Sequence, residues 1–246
     1  SGEDGGGDDH GGDGSCDDLI SDDDEEEDDD STATVPIILD LSGGGIRIAD
    51  LSRSQKFVDA NGTGLLSHTA WAAAGNAVLF YDPDGRNAIT EKRQYAFSEW
   101  DPTARGDLEA LRSVFDTNGD GKLDAGDAAF ANFKLEVVNA DGSTTIMTLA
   151  QAGITSINLK DDATSLRLPD GSRIDGQTTF TRSNGTTGTV ANAVLVAEGG
   201  SNRVDQQVTT DASGNRVVES KGYDGDGALS FRTRTNAVAR RRCPSR

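Results

Sequence analysis

Residues 116–127 constrain the fold more than any other stretch, because their spacing is that of a metal-binding loop. Side-chain oxygens stand at loop positions one, three, five, nine and twelve, and Gly121 stands at position six, where such a loop turns sharply. The predicted ligands are Asp116, Asn118, Asp120, Asp124 and Asp127, together with the backbone carbonyl of Lys122. Ca²⁺ takes six to eight hard oxygen ligands, so the sequence predicts Ca²⁺ as the cofactor of this loop.

The flanking residues predict a helix on each side of the loop. Before it, Leu108, Leu111 and Phe115 recur at helical spacing, and after it Phe130 and Phe133 indicate a short exiting helix. Helix, loop and helix together make an EF-hand. The aspartate at position twelve has a stem one methylene shorter than the usual glutamate, which predicts weak binding, with a Kd of roughly 10⁻⁴ to 10⁻³ M.

Three imperfect copies of this loop begin at Asp40, Asp59 and Asp82. Each has fewer side-chain oxygens, and Arg86 places a cation at the fifth position of the third copy. The weaker metal candidates in these copies are Asp59, Asn61, Thr63, Asp82 and Asp84. We interpret the copies as decayed loops or structural turns.

Acidic residues are concentrated at the N-terminal end of the sequence. Sixteen of the 42 Asp and Glu residues lie between Glu3 and Asp30, a stretch without Lys or Arg. Such a block repels itself and buries too little apolar surface to offset its ordering entropy, so residues 1–33 are predicted to be a disordered acidic tail. The negative charge argues against nucleic acid as a partner. An interaction tail for basic partners is one alternative function, and it rests on this segment alone.

Strand and turn signals organise the rest of the chain. Apolar runs predict strands over residues 37–41, 77–81, 135–138 and 157–159. Asp-Gly and Asn-Gly turns indicate hairpins in the later half. Residues 34–197 are predicted to form one calcium-binding domain with its own core, and residues 198–246 hairpins or a linker with a basic C-terminal tail. The predicted fold class is α+β, an EF-hand with short strands and β-hairpins.

Cysteine, histidine and hydropathy patterns argue against several other classes of protein. Cys16 and Cys243 are the two cysteines and lie in the predicted tails, so no disulfide framework is expected. No apolar run approaches the length of a membrane span, and the first residues lack the pattern of a cleavable signal peptide. His10 and His68 stand apart, with neither zinc spacing nor a catalytic set around them, and His68 is expected in a turn or on the surface. We therefore predict a protein that is not an enzyme.

Several segments together resemble a known family. They are the Pro-Ile-Ile-Leu-Asp-Leu run at 36–41, the repeated Asp-centred loops, the Glu-Trp-Asp-Pro stretch at 99–102 and residues 149–154. Over residues 35–197 the chain resembles the EF-hand-containing, calcium-binding region of large bacterial RTX-type (haemolysin-type calcium-binding) exoproteins. The resemblance implies secretion and folding on meeting calcium outside the cell. It also implies other segments of a larger exoprotein, or a cell-surface protein, as partners.

Within that family, the self-processing module of iron-regulated RTX proteins offers an enzymatic alternative. There, calcium-induced folding activates cleavage of an Asp-Pro bond just ahead of a segment like residues 37–41. This chain has Val35-Pro36 at the matching point, so the attacking carboxylate is missing and autocleavage is not expected there. The bonds Asp82-Pro83 and Asp101-Pro102 are interpreted as a loop turn and a helix cap. The favoured function is therefore a calcium-dependent structural or interaction module.

Overall fold

A computed structural model describes residues 33–237 of the chain. The acidic tail and its predicted disorder, His10, Cys16, Cys243 and the basic C-terminal residues lie outside the described residues. Within the described range the chain is mainly antiparallel β-sheet. The predicted division at residues 197 and 198 stays a prediction.

The described residues form seventeen strands, one α-helix and three short 3-10 helices. The strands are β1 (Ala33–Thr34), β2 (Ile37–Asp40), β3 (Ile48–Ala49), β4 (Lys56–Val58), β5 (Leu66–Thr69), β6 (Trp71–Ala72), β7 (Asn76–Tyr81), β8 (Lys122–Asp124), β9 (Phe133–Val138), β10 (Thr144–Thr148), β11 (Ile154–Asn158), β12 (Ser165–Arg167), β13 (Arg173–Arg182), β14 (Thr187–Ser201), β15 (Arg203–Thr210), β16 (Arg216–Tyr223) and β17 (Leu229–Ala237). The helix α1 is Asp107–Phe115, and the 3-10 helices are Lys92–Gln94, Phe97–Glu99 and Phe130–Asn132.

The main sheet has twelve strands and is built around the long strand β14. Its principal order is β10-β9-β7-β2-β14-β13-β11-β8, while β1 and β5 also pair with β14, β12 pairs with β13 and β4 pairs with β5. Separate sheets are formed by β15-β16-β17 and by β3-β6. β14 thus lies between the two halves of this strand order.

Both faces of the central strands are buried. Ile37 and Leu39 lie in one hydrophobic core, while Ile38, between them, lies in a second core on the opposite face. Successive side chains of a strand point to opposite faces, so a strand covered on both sides has an uninterrupted apolar sequence. β2, β7, β9 and β11 confirm the four strands predicted from such runs, apart from differences at their ends.

Helix α1 packs against one face of the main sheet. Its residues Leu108, Leu111 and Phe115 are buried in the first core, which confirms the helical spacing seen in the sequence. The ring of Phe115 lies 5.2 Å from that of Phe133 on β9, in an edge-to-face arrangement. Burying side chains of this size contributes about 1.5 to 3 kcal/mol each. The helix end, and the loop that follows it, are thereby fixed to the sheet.

The predicted α+β fold built around an EF-hand is wrong. α1 is the single α-helix among residues 33–237, and no second α-helix follows the loop. Phe130 begins one 3-10 turn, and Phe133 begins strand β9 because its side chain is buried in the sheet core. Apolar residues three apart satisfy a tight turn followed by a strand as well as they satisfy a helix.

Two smaller predictions are also wrong. Asp101-Pro102 does not begin the helix, which starts at Asp107 after the extended residue Gly106. His68 is not on the surface, since it is 3% exposed on β5 and its ring stacks on Phe57 with centroids 5.0 Å apart. Strands β4 and β14 flank His68, and a lone polar residue carries no sequence signal for such burial.

Candidate metal-binding loop

The loop at residues 116–127 joins α1 to the sheet. It follows Phe115 directly, and its positions seven to nine form the edge strand β8, which pairs with β11. Leu123, at position eight, is fully buried in the same core as Phe115. The loop therefore connects a helix end and a sheet edge that share one core.

The Asp116 carboxylate organises the first half of this loop. Its Oδ1 accepts the backbone N–H groups of Gly119 at 2.8 Å and Asp120 at 3.1 Å, and its Oδ2 accepts that of Gly121 at 2.9 Å. Gly119 and Gly121 have φ values of 74° and 81°, in the left-handed region that favours glycine. The chain consequently wraps around one carboxylate.

Asp127, at position twelve, ties the end of the loop to its beginning. Its Oδ1 accepts the N–H groups of Thr117 at 2.7 Å and Asn118 at 3.3 Å, while its Oδ2 accepts the N–H of Asp124 at 2.9 Å. The residue is only 5% exposed. The short aspartate stem therefore reaches the backbone of the opposite half of the loop.

The ligand positions three and nine approach one another over Gly126. Asn118 Oδ1 accepts the N–H of Asp120 at 3.0 Å, and Asp124 Oδ1 accepts that of Gly126 at 2.7 Å. A Cβ atom on Gly126 would lie 2.4 Å from Asn118 Nδ2 and 3.1 Å from Asp124 Oδ1. The absence of a side chain at position 126 lets these two oxygen-bearing groups come together.

The loop has a marked excess of negative charge. It contains the four carboxylates of Asp116, Asp120, Asp124 and Asp127. Within residues 33–237, no Lys, Arg or His pairs with any of them within 4.0 Å. Hard oxygen donors in this number suit Ca²⁺. No three acidic, His or Cys groups in the described range are arranged closely enough to hold a metal ion, so the four carboxylates do not converge on one point.

The loops that begin at Asp40, Asp59 and Asp82 have the same backbone shape. In each, the aspartate Oδ2 accepts the N–H of the residue five positions later, as in the first loop. These N–H donors are Gly45 at 2.6 Å, Gly64 at 2.8 Å and Asn87 at 2.8 Å. The fourth residue of every loop is a glycine with positive φ. The four loops are thus structural repeats that differ in their side chains.

The weaker candidates are separated by what their carboxylates contact. Asp59 is only partly buried, and Asn61 Oδ1 accepts the hydroxyl of Thr63 at 2.6 Å. Asp82 is buried and pairs with the Lys134 ammonium at 2.6 Å, whereas the exposed Asp84 pairs with Arg86. Both carboxylates of the loop at Asp82 therefore already have a cationic side chain as partner.

Three peptide bonds before proline were considered for self-processing. The residue before the proline either has no carboxylate or has one that is already bound by other side chains. Val35 has no carboxylate to attack its own carbonyl. The Asp82 carboxylate is bound by Lys134, and the Asp101 carboxylate accepts the hydroxyls of Thr103 and Ser113, both at 2.6 Å. The absence of autocleavage stays a prediction.

Two charged residues with structural roles were missed in the sequence. Lys134 lies on β9, and nothing in its neighbourhood along the chain indicates a partner at Asp82. Asp107 is buried in the first turn of α1, where its carboxylate accepts the N–H groups of Phe97 and Ser98, both at 2.8 Å. Burial raises the pKa of Asp107 to about 7, although those N–H groups oppose the rise. The sequence signal that could have indicated a structural role for Asp107 is its position as an acid in the first turn of a helix.

The fold and site define a mainly antiparallel β domain with four Asp-centred loops. The SPM domain matches residues 37–196, so the chain belongs to the SPM domain family. The chain is also 27% identical over 196 residues to the iron-regulated protein FrpA of Neisseria meningitidis serogroup C. That alignment covers 76% of this chain and 18% of FrpA, so the chain spans less than a fifth of this relative's length.

These similarities correct the family assignment made from the sequence. The resemblance to the EF-hand-containing region of RTX-type exoproteins is wrong, because the fold is β-rich and the matching family is the SPM domain. Neither the SPM domain nor FrpA has a description that names an enzyme. None of the helices in residues 33–237 is long and apolar enough to cross a membrane.

Proposed function

We propose that the loop at residues 116–127 binds Ca²⁺ and thereby orders a structural or interaction module. The observation that carries this proposal is the set of four carboxylates with no cationic partner in the described structure. Such a set is self-repulsive, and a divalent cation relieves the repulsion. The proposed ligands are the side chains of Asp116, Asn118, Asp120, Asp124 and Asp127 and the carbonyl of Lys122.

The proposed ligands include carboxylates that are already held in place and carboxylates that would rotate when the ion binds. Asp116 and Asp127 are fixed by backbone N–H donors, and each carboxylate oxygen has two lone pairs, so these bonds are compatible with metal binding. Asp120 and Asp124 each hold one backbone N–H through Oδ1. We propose that their carboxylates rotate toward the ion, because this requires side-chain rotation and no rearrangement of the sheet.

Thermal unfolding tests the proposed function. Calcium bound to the loop stabilises the helix end at Phe115 and the edge strand at Leu123, which are both buried. At a calcium concentration about ten times Kd, linkage gives about 1.4 kcal/mol of stabilisation. This corresponds to a rise in Tm of roughly 3 to 6 °C, measured by circular dichroism in calcium against chelator. Equal melting curves in calcium, magnesium and chelator would refute the proposal.

Replacing Gly126 with alanine is expected to weaken calcium binding more than it weakens the fold. The new Cβ displaces the end of the Asn118 side chain, which can rotate away, so the stability loss should stay below about 1 kcal/mol. The displaced amide no longer holds Asn118 Oδ1 at the proposed site, and calcium affinity in calorimetric titration should fall several-fold. Gly44→Ala is the matched control, because that glycine has only ordinary contacts and a φ that is not positive. Equal affinities in the two variants would contradict the expectation.

We further propose that the module works outside the cell, with other segments of a larger protein or a cell-surface protein as partners. The short stem of the aspartate at position twelve predicts weak binding, in the range of extracellular calcium modules, whose Kd values are roughly 10⁻⁴ to 10⁻³ M. Such affinities give occupied sites only where calcium is abundant. A Kd below about 10⁻⁶ M by calorimetry would instead support an intracellular role.

A further inference from the structure

The third Asp-centred loop, residues 82–87, is occupied by an ammonium group. Lys134 Nζ lies 2.6 Å from Asp82 Oδ2 and 2.7 Å from Asn87 Oδ1. The Asp82 side chain is 1% exposed, and that of Lys134 is 11% exposed. The ion pair is therefore buried, and it joins the loop to strand β9.

The backbone around Asp82 matches the backbone around Asp116. Asp82 Oδ1 and Oδ2 accept the N–H groups of Arg86 at 2.9 Å and Asn87 at 2.8 Å, as Asp116 accepts those of the fifth and sixth residues of its loop. Asn87 holds this shape at a φ of 55°, the one positive φ outside glycine among the described residues. The two loops thus present a carboxylate in the same way.

The two loops differ in where their positive charge comes from. Burial alone would raise the pKa of Asp82, yet the Lys134 ammonium and the Asn87 and Arg86 N–H groups hold it below its usual value. The second carboxylate, on Asp84, pairs with the Arg86 guanidinium at 3.2 Å. The loop at residues 116–127 has no such partners within the described structure.

We propose that the Lys134 ammonium takes the place of a divalent cation in the loop at residues 82–87 and makes that loop independent of metal. The proposal rests on the proposed function in one respect, that a loop of this shape with more than one carboxylate receives calcium when no side-chain cation is present. It assigns Lys134 as the residue that determines whether the loop at residues 82–87 can respond to calcium. The ammonium is covalently attached, so this loop stays closed whatever the calcium concentration.

Replacing Lys134 with methionine tests the proposal, because methionine keeps the unbranched chain and removes the charge. The variant leaves a buried carboxylate without a counter-ion, and its Tm in chelator should fall by about 6 °C or more. Calcium should restore at least half of that loss. Lys160→Met removes an exposed lysine and should change neither value.

The double variant Asp82→Asn/Lys134→Met removes both charges and should recover stability without calcium. Its calcium response should equal that of the parent chain. If Lys134→Met shows no calcium response beyond that of the parent, the proposal is wrong. If Lys134→Met fails to fold even in calcium while the double variant folds, the proposal is also wrong, because calcium then cannot replace the ammonium.

The same experiment in an Asp116→Asn/Asp120→Asn background separates this proposal from the proposed function. A calcium response of Lys134→Met that persists there arises at the loop at residues 82–87. If the parent chain gives no calcium response but Lys134→Met does, the proposed function fails and the role of Lys134 stands. The reverse pattern supports the proposed function and rejects the role of Lys134.

Discussion

Replacing Asp116 and Asp120 with alanine is expected to abolish the strongest calcium-binding event of the chain. Asp116 organises three backbone N–H groups, and Asp120 supplies a second carboxylate, so the pair accounts for both shape and charge. Calcium affinity depends on the number of charged ligands, and we expect it to fall by more than about tenfold. Isothermal calorimetry of the two proteins measures this directly.

The turn between β16 and β17 provides a matched control for that variant. Residues 224–227 there read Asp-Gly-Asp-Gly, which differs from the Asn-Gly-Asp-Gly of residues 118–121 only at the first position, and Asp224 Oδ1 accepts two backbone N–H groups. Asp224→Ala/Asp226→Ala also removes two negative charges, but from a different turn, and should leave the strongest binding event intact. If both double variants titrate alike, the assignment of calcium to residues 116–127 is wrong.

Replacing Asp107 with asparagine is expected to change how stability depends on pH. Burial raises the folded-state pKa of Asp107 from 3.8 to about 7, so folding favours the protonated acid. Its stabilising contribution is fully present below the unfolded pKa and is lost as pH rises through about 7. The full change corresponds to about 4 kcal/mol. An asparagine does not titrate and lacks this loss.

The measurement is the difference in unfolding free energy between the parent and Asp107→Asn, by urea titration between about pH 4 and about pH 8. The parent should lose stability relative to the variant across this range. Glu109 is a partly exposed acid whose pKa is lowered by the backbone N–H and the guanidinium of Arg105, so Glu109→Gln should show a small trend of opposite sign. A constant difference for Asp107→Asn would contradict the expectation.

The parts of the structure that the sequence could predict are those with local causes. Strands β2 and β7 were predictable because they are buried on both faces and therefore have unbroken apolar runs. The shape of the four loops is local too, since each aspartate bonds to backbone groups within five residues. The spacing of oxygens and glycines along the chain reflects these bonds.

The parts that failed depend on contacts between distant residues. The apolar residues Phe130 and Phe133 fit a helix as well as a turn followed by a strand. The sheet that buries Phe133 decides between the two. Lys134 and Asp82 are 52 positions apart, so no local sequence pattern predicts their ion pair. The surroundings of Asp107 likewise include a distant residue, Asn192 on β14, whose Oδ1 accepts the Asp107 N–H at 3.1 Å.

The central position of β14 has a consequence for the order of folding. Leu39, near the start of the described chain, pairs with Val190 on β14, and Ala33 pairs with Val196. Pairings between such distant segments make folding slow, because a long loop must close before the contacts form. During synthesis or passage through a pore, the first strands have to wait for β14 before the sheet can close around them. The loop at residues 116–127 has short-range bonds and can form earlier, so the proposed metal site would take its shape before the sheet is complete.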